Sequence, residues 1–546
     1  MAYSYLHMKE IRSEPAKSLD RLDSWKVIAG YLNRGVRTVR RWEVARGLPV
    51  HRVPGGGKPG VYALKSELDG WWKRVRVHLV EEAHGAAPES RTPSVAVLPF
   101  ANLTADKENE YFSDGLADEI ITALTRVPGL RVTARTSSFT FRGKEQDIRK
   151  IGGILGVSTL LEGSVQRAAG RIRVSAQLVC AVDGYHLWSQ SYDRDLADVF
   201  AIQDEISAAI ARALEVRLTP SRALPRTANL DAYNYWLQGR YYQQYENMEA
   251  LAKCRNCLER AIALDPRFPQ PYLGLAGLAR SVAQFGVIRP RDAIAQGWAA
   301  IRKAFELDDS LAEGYALSGA YRAWMDFDWS GAGADFDRAL ELSPASAETH
   351  RLRATHYLVP TGRLREAEEE MERAVASDPV SPLMYVYLGE VLLWERQFDR
   401  GLAKMETAFE LRPDYALGLW YRGAALYFQG RLEEGLMLFQ SALQKVGPNP
   451  VMIGGIGMTL AQLGRQAEAR AALAQLQAAD RERYTPPLAH AQIHLALGDT
   501  DAAFEWLDRA VEERDPHIFD LPCKPIWDAI RADPRFTALL HKMRLS

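Results

Sequence analysis

Apolar residues in this chain recur at two different periods, and the change between them marks its parts. Near the start, Trp25, Ile28, Ala29 and Leu32 fall at three- and four-residue spacing, which predicts a short helix over 25–32 with one buried face. Ser24 stands where a cap would accept one of the free amide hydrogens. After a break at 33–35, a second helix is predicted over 36–45, ended by Gly47 and Pro49. At 100° per residue, Arg37, Arg40, Arg41 and Val44 share one face of it, and Val36, Val39 and Trp42 the opposite face. Short strands at 51–53 and 61–63 flank a glycine-rich tip, and Ser66 is expected to cap a third helix carrying Leu68, Trp71 and Trp72.

A polar stretch over 79–93 then reads as a linker. Beyond it the pattern alternates strands with helices. A buried strand is predicted at 94–100, a helix at 113–127, a strand at 130–135 and a helix at 148–155. Three alternating strands follow at 159–166, 171–179 and 185–192, and a helix at 199–218 closes the unit.

The second half repeats. Ala367, Gly401, Gly435, Ala469 and Ala503 are spaced by 34 residues, and Met371, Met405, Phe439, Leu473 and Leu507 follow each by four. Ala374, Ala408, Ala442 and Ala510 come three later, with Leu476 the departure, and Gly389, Gly423 and Gly457 keep the same interval. This small-large-small period is the signature of tetratricopeptide repeats, in which two helices pack through small residues. About eight copies are expected over 231–516, after a linker at 220–230, with closing helices in 517–546. The expected architecture is multidomain and predominantly α: a winged helix-turn-helix head over 18–78, an α/β middle domain over 94–219 and a C-terminal α-solenoid.

Composition adds class and compartment. Hydrophobic residues at 47% and charged residues at 25% are ordinary globular values. No apolar run approaches the ~18 residues that would span a bilayer. Residues 1–17 lack a signal peptide's apolar core, and the four cysteines are too few for a disulfide framework, so a cytoplasmic protein is expected. The net charge of −1 conceals an asymmetry, because residues 24–78 carry twelve Lys/Arg against three acids. That excess is the electrostatic footprint of a nucleic-acid binder, although a basic face can also be merely solvated or meet acidic protein.

The string SWKVIAGYL, RTVRRWE, GLPVHR and VYALKSELDGWW resembles the winged helix-turn-helix of the MerR and excisionase type. The resemblance implies double-stranded DNA as partner. Arg37, Thr38, Arg40 and Arg41 would lie on the recognition helix, and Arg34, Arg52 and Lys58 would reach phosphates; heads of this kind commonly act as dimers, so a homodimer is possible. Gly55 to Lys58 does not make a phosphate loop, because Arg52 stands at its first glycine and Pro59 at its Ser/Thr. The order of elements over 94–218 resembles the TolB amino-terminal-like domain, which transfers no catalytic residues.

In the tetratricopeptide array, family geometry turns His356, Glu390, Trp394, Trp420, Tyr427, Phe428 and Met458 towards a groove for a protein or peptide; packing between helices is the competing reading. Asp114, Asp118 and Glu119 sit in the first turns of a helix, where acids more often complement the helix dipole than catalyse. Cys254 and Cys257 have no second ligand pair, and His490 and His494 lack the glutamate of a zinc protease. The sequence thus reads as a cytoplasmic DNA-binding transcriptional regulator that is not an enzyme, has no catalytic or metal residues, needs no cofactor and meets no membrane. The alternative is a repeat scaffold or adaptor whose head is vestigial or binds protein.

Overall fold

The computed structural model describes residues 20–32, 39, 40, 43, 47–52, 60–69, 71, 92–104, 108–143, 147–168, 170–214, 216, 227, 229–243, 248–284, 286, 288–481 and 484–545. They fall in two compact units, Met1–Arg91 and Thr92–Ser546.

In the first unit, β1 (Arg21–Asp23), β2 (His51–Arg52) and β3 (Val61–Leu64) form an antiparallel sheet in the order β1-β3-β2, with His51 opposite Tyr62. Helix α1 (Trp25–Tyr31) buries Ile28 and Ala29 on Val39, Leu48, Ala63, Leu68 and Trp71. The Ser24 hydroxyl accepts from the Val27 amide. Ser66 behaves differently from the cap expected of it: residues 65–69 are already helical, and its amide and hydroxyl both donate to Asp20, at 3.3 and 2.6 Å. The sequence also gave no sign of β1, which is too short to show a period.

The second unit opens with a six-stranded mixed sheet. Strand β4 (Ser94–Val97) lies parallel to both β6 (Arg131–Val132) and β7 (Thr159–Ala168), and β5 (Ala101–Asn102) also pairs with β7. Strands β8 (Arg171–Cys180) and β9 (His186–Asp195) extend the sheet as an antiparallel meander. Among the helices that accompany it, α2 (Glu108–Leu124) and α5 (Val199–Ala213) pack on the sheet, while α3 (Arg135–Phe139) and α4 (Ile148–Leu155) lie between α2 and α5 in the chain.

Eight consecutive helix pairs follow. They are α6 (Leu230–Gln243) with α7 (Met248–Leu264), α8 (Gln270–Gln284) with α9 (Pro290–Leu307), and α10 (Ala312–Asp326) with α11 (Trp329–Leu342). Next come α12 (Ala347–Arg353), continued by a π-helical turn at Ala354–Leu358, with α13 (Leu364–Ser377), and α14 (Pro382–Trp394) with α15 (Phe398–Leu411). The last three are α16 (Ala416–Phe428) with α17 (Leu432–Val446), α18 (Pro450–Gln462) with α19 (Gln466–Ala479), and α20 (Pro487–Ala496) with α21 (Thr500–Glu513). The recurring glycines are where partner helices touch. A Cβ on Gly389 would stand 3.0 Å from the Gly401 carbonyl, and one on Gly435 2.9 Å from the Gly423 carbonyl.

The turns between partners repeat with equal regularity. Gly362, Gly430, Gly464 and Gly498 all hold positive φ, which L side chains disfavour. Arg396 occupies the corresponding position in the fifth pair, at φ 64°.

The first helix of the array packs directly into the middle domain's core, and most of the expected linker at 220–230 lies outside the described residues. Tyr233, Trp236 and Leu237 of α6 bury against Phe112, Leu116 and Ile202 in one continuous cluster. A second seam joins α3 to the turn after α13. There the Ser137 amide and hydroxyl donate to Asp378 Oδ1 at 3.0 and 2.6 Å, Thr136 donates to its other oxygen, and Ala134 N donates to Ser377 O at 2.7 Å. Among the described residues, no helix is long and apolar enough to cross a membrane.

Candidate functional site

In the head, Arg34, Arg37, Thr38, Arg41 and Lys58 lie outside the described residues. Val39 and Arg40 are helical, Val39 fully buried and Arg40 exposed; Val36, Trp42 and Val44 also lie outside the described residues. The guanidinium groups of Arg40 and Arg52 both lie over the Trp25 ring, at 5.3 and 5.8 Å from its centre. Arg52 also pairs with Glu43 at 2.5 Å while staying half-exposed. Cation–π contact and a surface ion pair fix direction while leaving N–H groups free, so both arginines present a cationic surface beside Trp25.

In the second unit, two of the carboxylates weighed as a catalytic set, Asp114 and Asp118, are held in ion pairs. Asp114 pairs with Arg142, and Asp118 with Arg240 at 3.2 Å and Arg135 at 3.7 Å, across the junction with α6. Burial raises the Asp114 carboxyl despite Arg142 beside it. Cys254 and Cys257 are free thiols, and burial pushes Cys254 up to about 12, far from a reactive thiolate. His490 is stacked on Trp506 at 3.9 Å, and burial lowers it to about 4.

The seven residues expected to line a peptide groove do not form an open one. His356, Glu390, Trp394 and Met458 are buried. Trp420 packs on Phe439, 4.4 Å between ring centres, and over Gly455, where a Cβ would collide with its ring. Phe428 stacks on Phe398 at 5.7 Å, with Tyr427 edge-on to it at 5.4 Å. Part of the reason is packing between neighbouring helices. The rest is the chain's own C-terminal segment, which returns across the fourth and fifth pairs. Phe519 lies 4.9 Å from the His356 ring, Lys524 lies over Trp394 at 5.3 Å, and the Cys523 thiol donates to Val359 O at 3.2 Å. Arg396 ties the segment down, donating to Cys523 O and to Asp528 Oδ1, both at 2.7 Å.

Glu390 is the titratable centre of this covered region. Tyr421 donates to it at 2.6 Å, and Asp520, Lys524, Arg351 and Tyr387 are its other charged or titratable neighbours. Burial pushes its carboxyl up to about 7, against the Tyr421 hydrogen bond and the nearby cations. Its folded value exceeds the ordinary 4.5, so the stability it gives is full below 4.5 and is lost as pH rises through about 7. Glu390→Gln keeps an acceptor for Tyr421 without the charge. The variant will match the parent in thermal melts near pH 4.5 and exceed it at pH 8, by at most about 3 kcal/mol. Equal melting at both pH values would contradict a buried carboxyl here.

The repeats are matched by the tetratricopeptide repeat model, TPR_16, over residues 388–450 and 455–517. Residues 388–517 are thus built of tetratricopeptide repeats. Curated relatives fall into different kinds. A Rhizobium meliloti (strain 1021) protein named "Putative adenylate cyclase 3" is 38% identical over 239 residues, 43% of this chain and 40% of that protein. "Transcriptional regulator HilA" of Salmonella typhimurium is 22% identical over 320 residues, 58% of this chain and 56% of that protein. The chain spans 16% to 56% of the length of the curated relatives it matches. A solved structure titled "Functional Characterization of Pseudomonas Aeruginosa pilF" aligns with 41% of this chain and 96% of its own, at 18% identity and a TM-score of 0.30.

The cyclase-named relative corrects one expectation, that the protein is not an enzyme. That reading rested on missing linear motifs, and a site assembled from residues distant in sequence leaves none.

Proposed function

We propose that the protein is a DNA-binding regulator whose tetratricopeptide array receives the signal. The observation that carries this reading is the head's cationic face: an exposed Arg40 beside Arg52 on Trp25, backed by a buried Val39, within a segment of twelve basic and three acidic residues. Such a surface neutralises phosphates and releases condensed counterions, which makes affinity fall with salt. The likeness to a protein named as a transcriptional regulator supports it. On this reading Arg37, Thr38 and Arg41 join Arg40 in contacting the duplex, and Arg34 and Lys58 its phosphates. The array adds surface for a protein partner, as stacked helix pairs do.

The test is duplex binding by the full chain at about 50 and 200 mM salt, alongside an Arg37/Arg40/Arg41→Ala variant. Parent affinity is expected to fall by at least about tenfold over that range, and the variant to bind at least about tenfold more weakly at low salt. Equal, salt-insensitive binding by both would remove the DNA reading.

The cyclase-named relative supports a second reading, in which the shared stretch serves nucleotide cyclisation. Incubation of the chain with ATP and Mg²⁺ or Mn²⁺, read as cyclic AMP formed, tests it directly; product no higher than in a heat-killed control counts against it.

A further inference from the structure

On the helices that open the second and fourth pairs, two arginines converge with too little counter-charge. Arg280 projects from α8 and Arg351 from α12, and Glu348 is the carboxylate placed between them. Glu348 grips Arg351 with both oxygens, at 2.6 and 2.8 Å, and reaches Arg280 only at 3.9 Å. Among the described residues, Arg280 otherwise has one weak bond, from Nη1 to Gln284 Oε1 at 3.3 Å, and its buried Nε has no acceptor.

The electrostatics agree with that geometry. Burial, and next the charge of Arg351, hold Arg280 below the usual arginine range. Burial and the same two cations hold His356 well below its ordinary value, so the imidazole beside them stays neutral. Partial desolvation opposes ionisation of Glu348, yet Arg351 and Arg280 keep its carboxyl below the usual range, so one full negative charge faces two positive ones. A buried guanidinium with unused N–H groups bears a desolvation cost, which an added acceptor would offset.

The place is reachable and shaped. Arg280 is 12% exposed and Arg351 4%, but Glu348 is 52% exposed, so solvent meets the pair from its side. The Tyr387 ring lies 4.7 Å from the Arg351 guanidinium and forms a flat wall. On the neighbouring side Phe519 covers His356, so a bound group would reach the guanidinium pair from the Glu348 side.

We propose that Arg280 and Arg351 form a binding site for a small anion carrying a carboxylate or phosphate group, received beside Glu348 and against Tyr387. The anion takes the unused donors of Arg280 and shares Arg351 with Glu348, in the charge-assisted, forked geometry guanidinium groups favour. This site would give the array a small-molecule input, and it stands on the array alone, so a head that fails to bind DNA leaves it intact.

The experiment is a thermal-shift titration of the full chain with inorganic phosphate and, separately, succinate, each against chloride at matched ionic strength. A saturable rise in melting temperature with at least one is expected, and the two arms distinguish phosphate from carboxylate. Arg280→Gln removes an under-paired cation, so it should fold as well as the parent and lose about tenfold or more in apparent affinity. Glu348→Gln removes the competing carboxylate and should bind more tightly than the parent. No saturable shift with either anion, equal shifts in the parent and Arg280→Gln, or weaker binding by Glu348→Gln would each overturn the site.

Discussion

Replacing Trp527 by alanine will lower the stability of the array by about 3–5 kcal/mol, the range for truncating a fully buried aromatic. Trp527 is wholly buried among Phe327, Leu507, Ile530 and Phe536, in a cluster that gathers the third helix pair, the last one and the C-terminal helix α22 (Pro534–Lys542). Its indole nitrogen has no hydrogen-bond partner, so the loss comes from packing and the cavity left behind. The same segment is held from several directions. Trp324 Nε1 donates to Arg514 O at 2.7 Å, Trp329 Nε1 to Met543 O at 2.8 Å, and Arg514 lies over Phe327 at 4.3 Å. Urea denaturation of Trp527→Ala against the parent reads the effect. A loss below about 1 kcal/mol would mean the segment is a loosely held tail.

Asp378→Ala should cost about 3 kcal/mol or more and loosen the middle domain from the array. The carboxylate is buried, and it accepts the Ser137 amide, the Ser137 hydroxyl and the Thr136 hydroxyl from a helix more than two hundred positions earlier. Burial raises its pKa even against those bonds, which marks a site where acceptor oxygens matter more than charge. Alanine strands the Ser137 amide without water or partner, and that unmet donor is the expensive part. Asn keeps the oxygen facing Ser137, so Asp378→Asn should retain most of the stability. Limited proteolysis adds a structural readout: with alanine, cleavage between 94 and 230 should quicken, whereas equal rates for parent and alanine would deny the seam its role.

How far the chain could be read depended on the range of each interaction. The 34-residue interval was legible because it is written in contact residues: Gly389 meets Gly401, and Gly423 meets Gly435, within single helix pairs. Helix α4 was legible at 148–155, where Asp147 caps it and Gly156 ends it in a left-handed turn. Strand β5 and helix α3 were missed, being two and five residues long, below the length at which any period shows. The burial of four of the expected groove residues was illegible for another reason. Periodicity places Trp394 and Met458 on an apolar face without saying whether helix, ligand or solvent lies opposite. The cover over His356 comes from Phe519 in a three-residue 3-10 turn, and the Asp378–Ser137 seam joins a five-residue helix to a turn; neither is long enough to leave a local pattern. Arg396 was invisible likewise, since a missing glycine looks like drift until its contacts with Cys523 and Asp528 are seen.

That returning segment also bears on how such a chain can change over evolutionary time. An open solenoid can lengthen or shorten by whole units, because each unit answers only to its neighbours. Here the tail meets units two to five at fixed addresses, among them Gln284, Trp324, Val359 and Arg396. Duplicating or deleting one unit between Arg396 and Asp515 would carry the tail past its anchor points, so the copy number of this array is locked by its own ending.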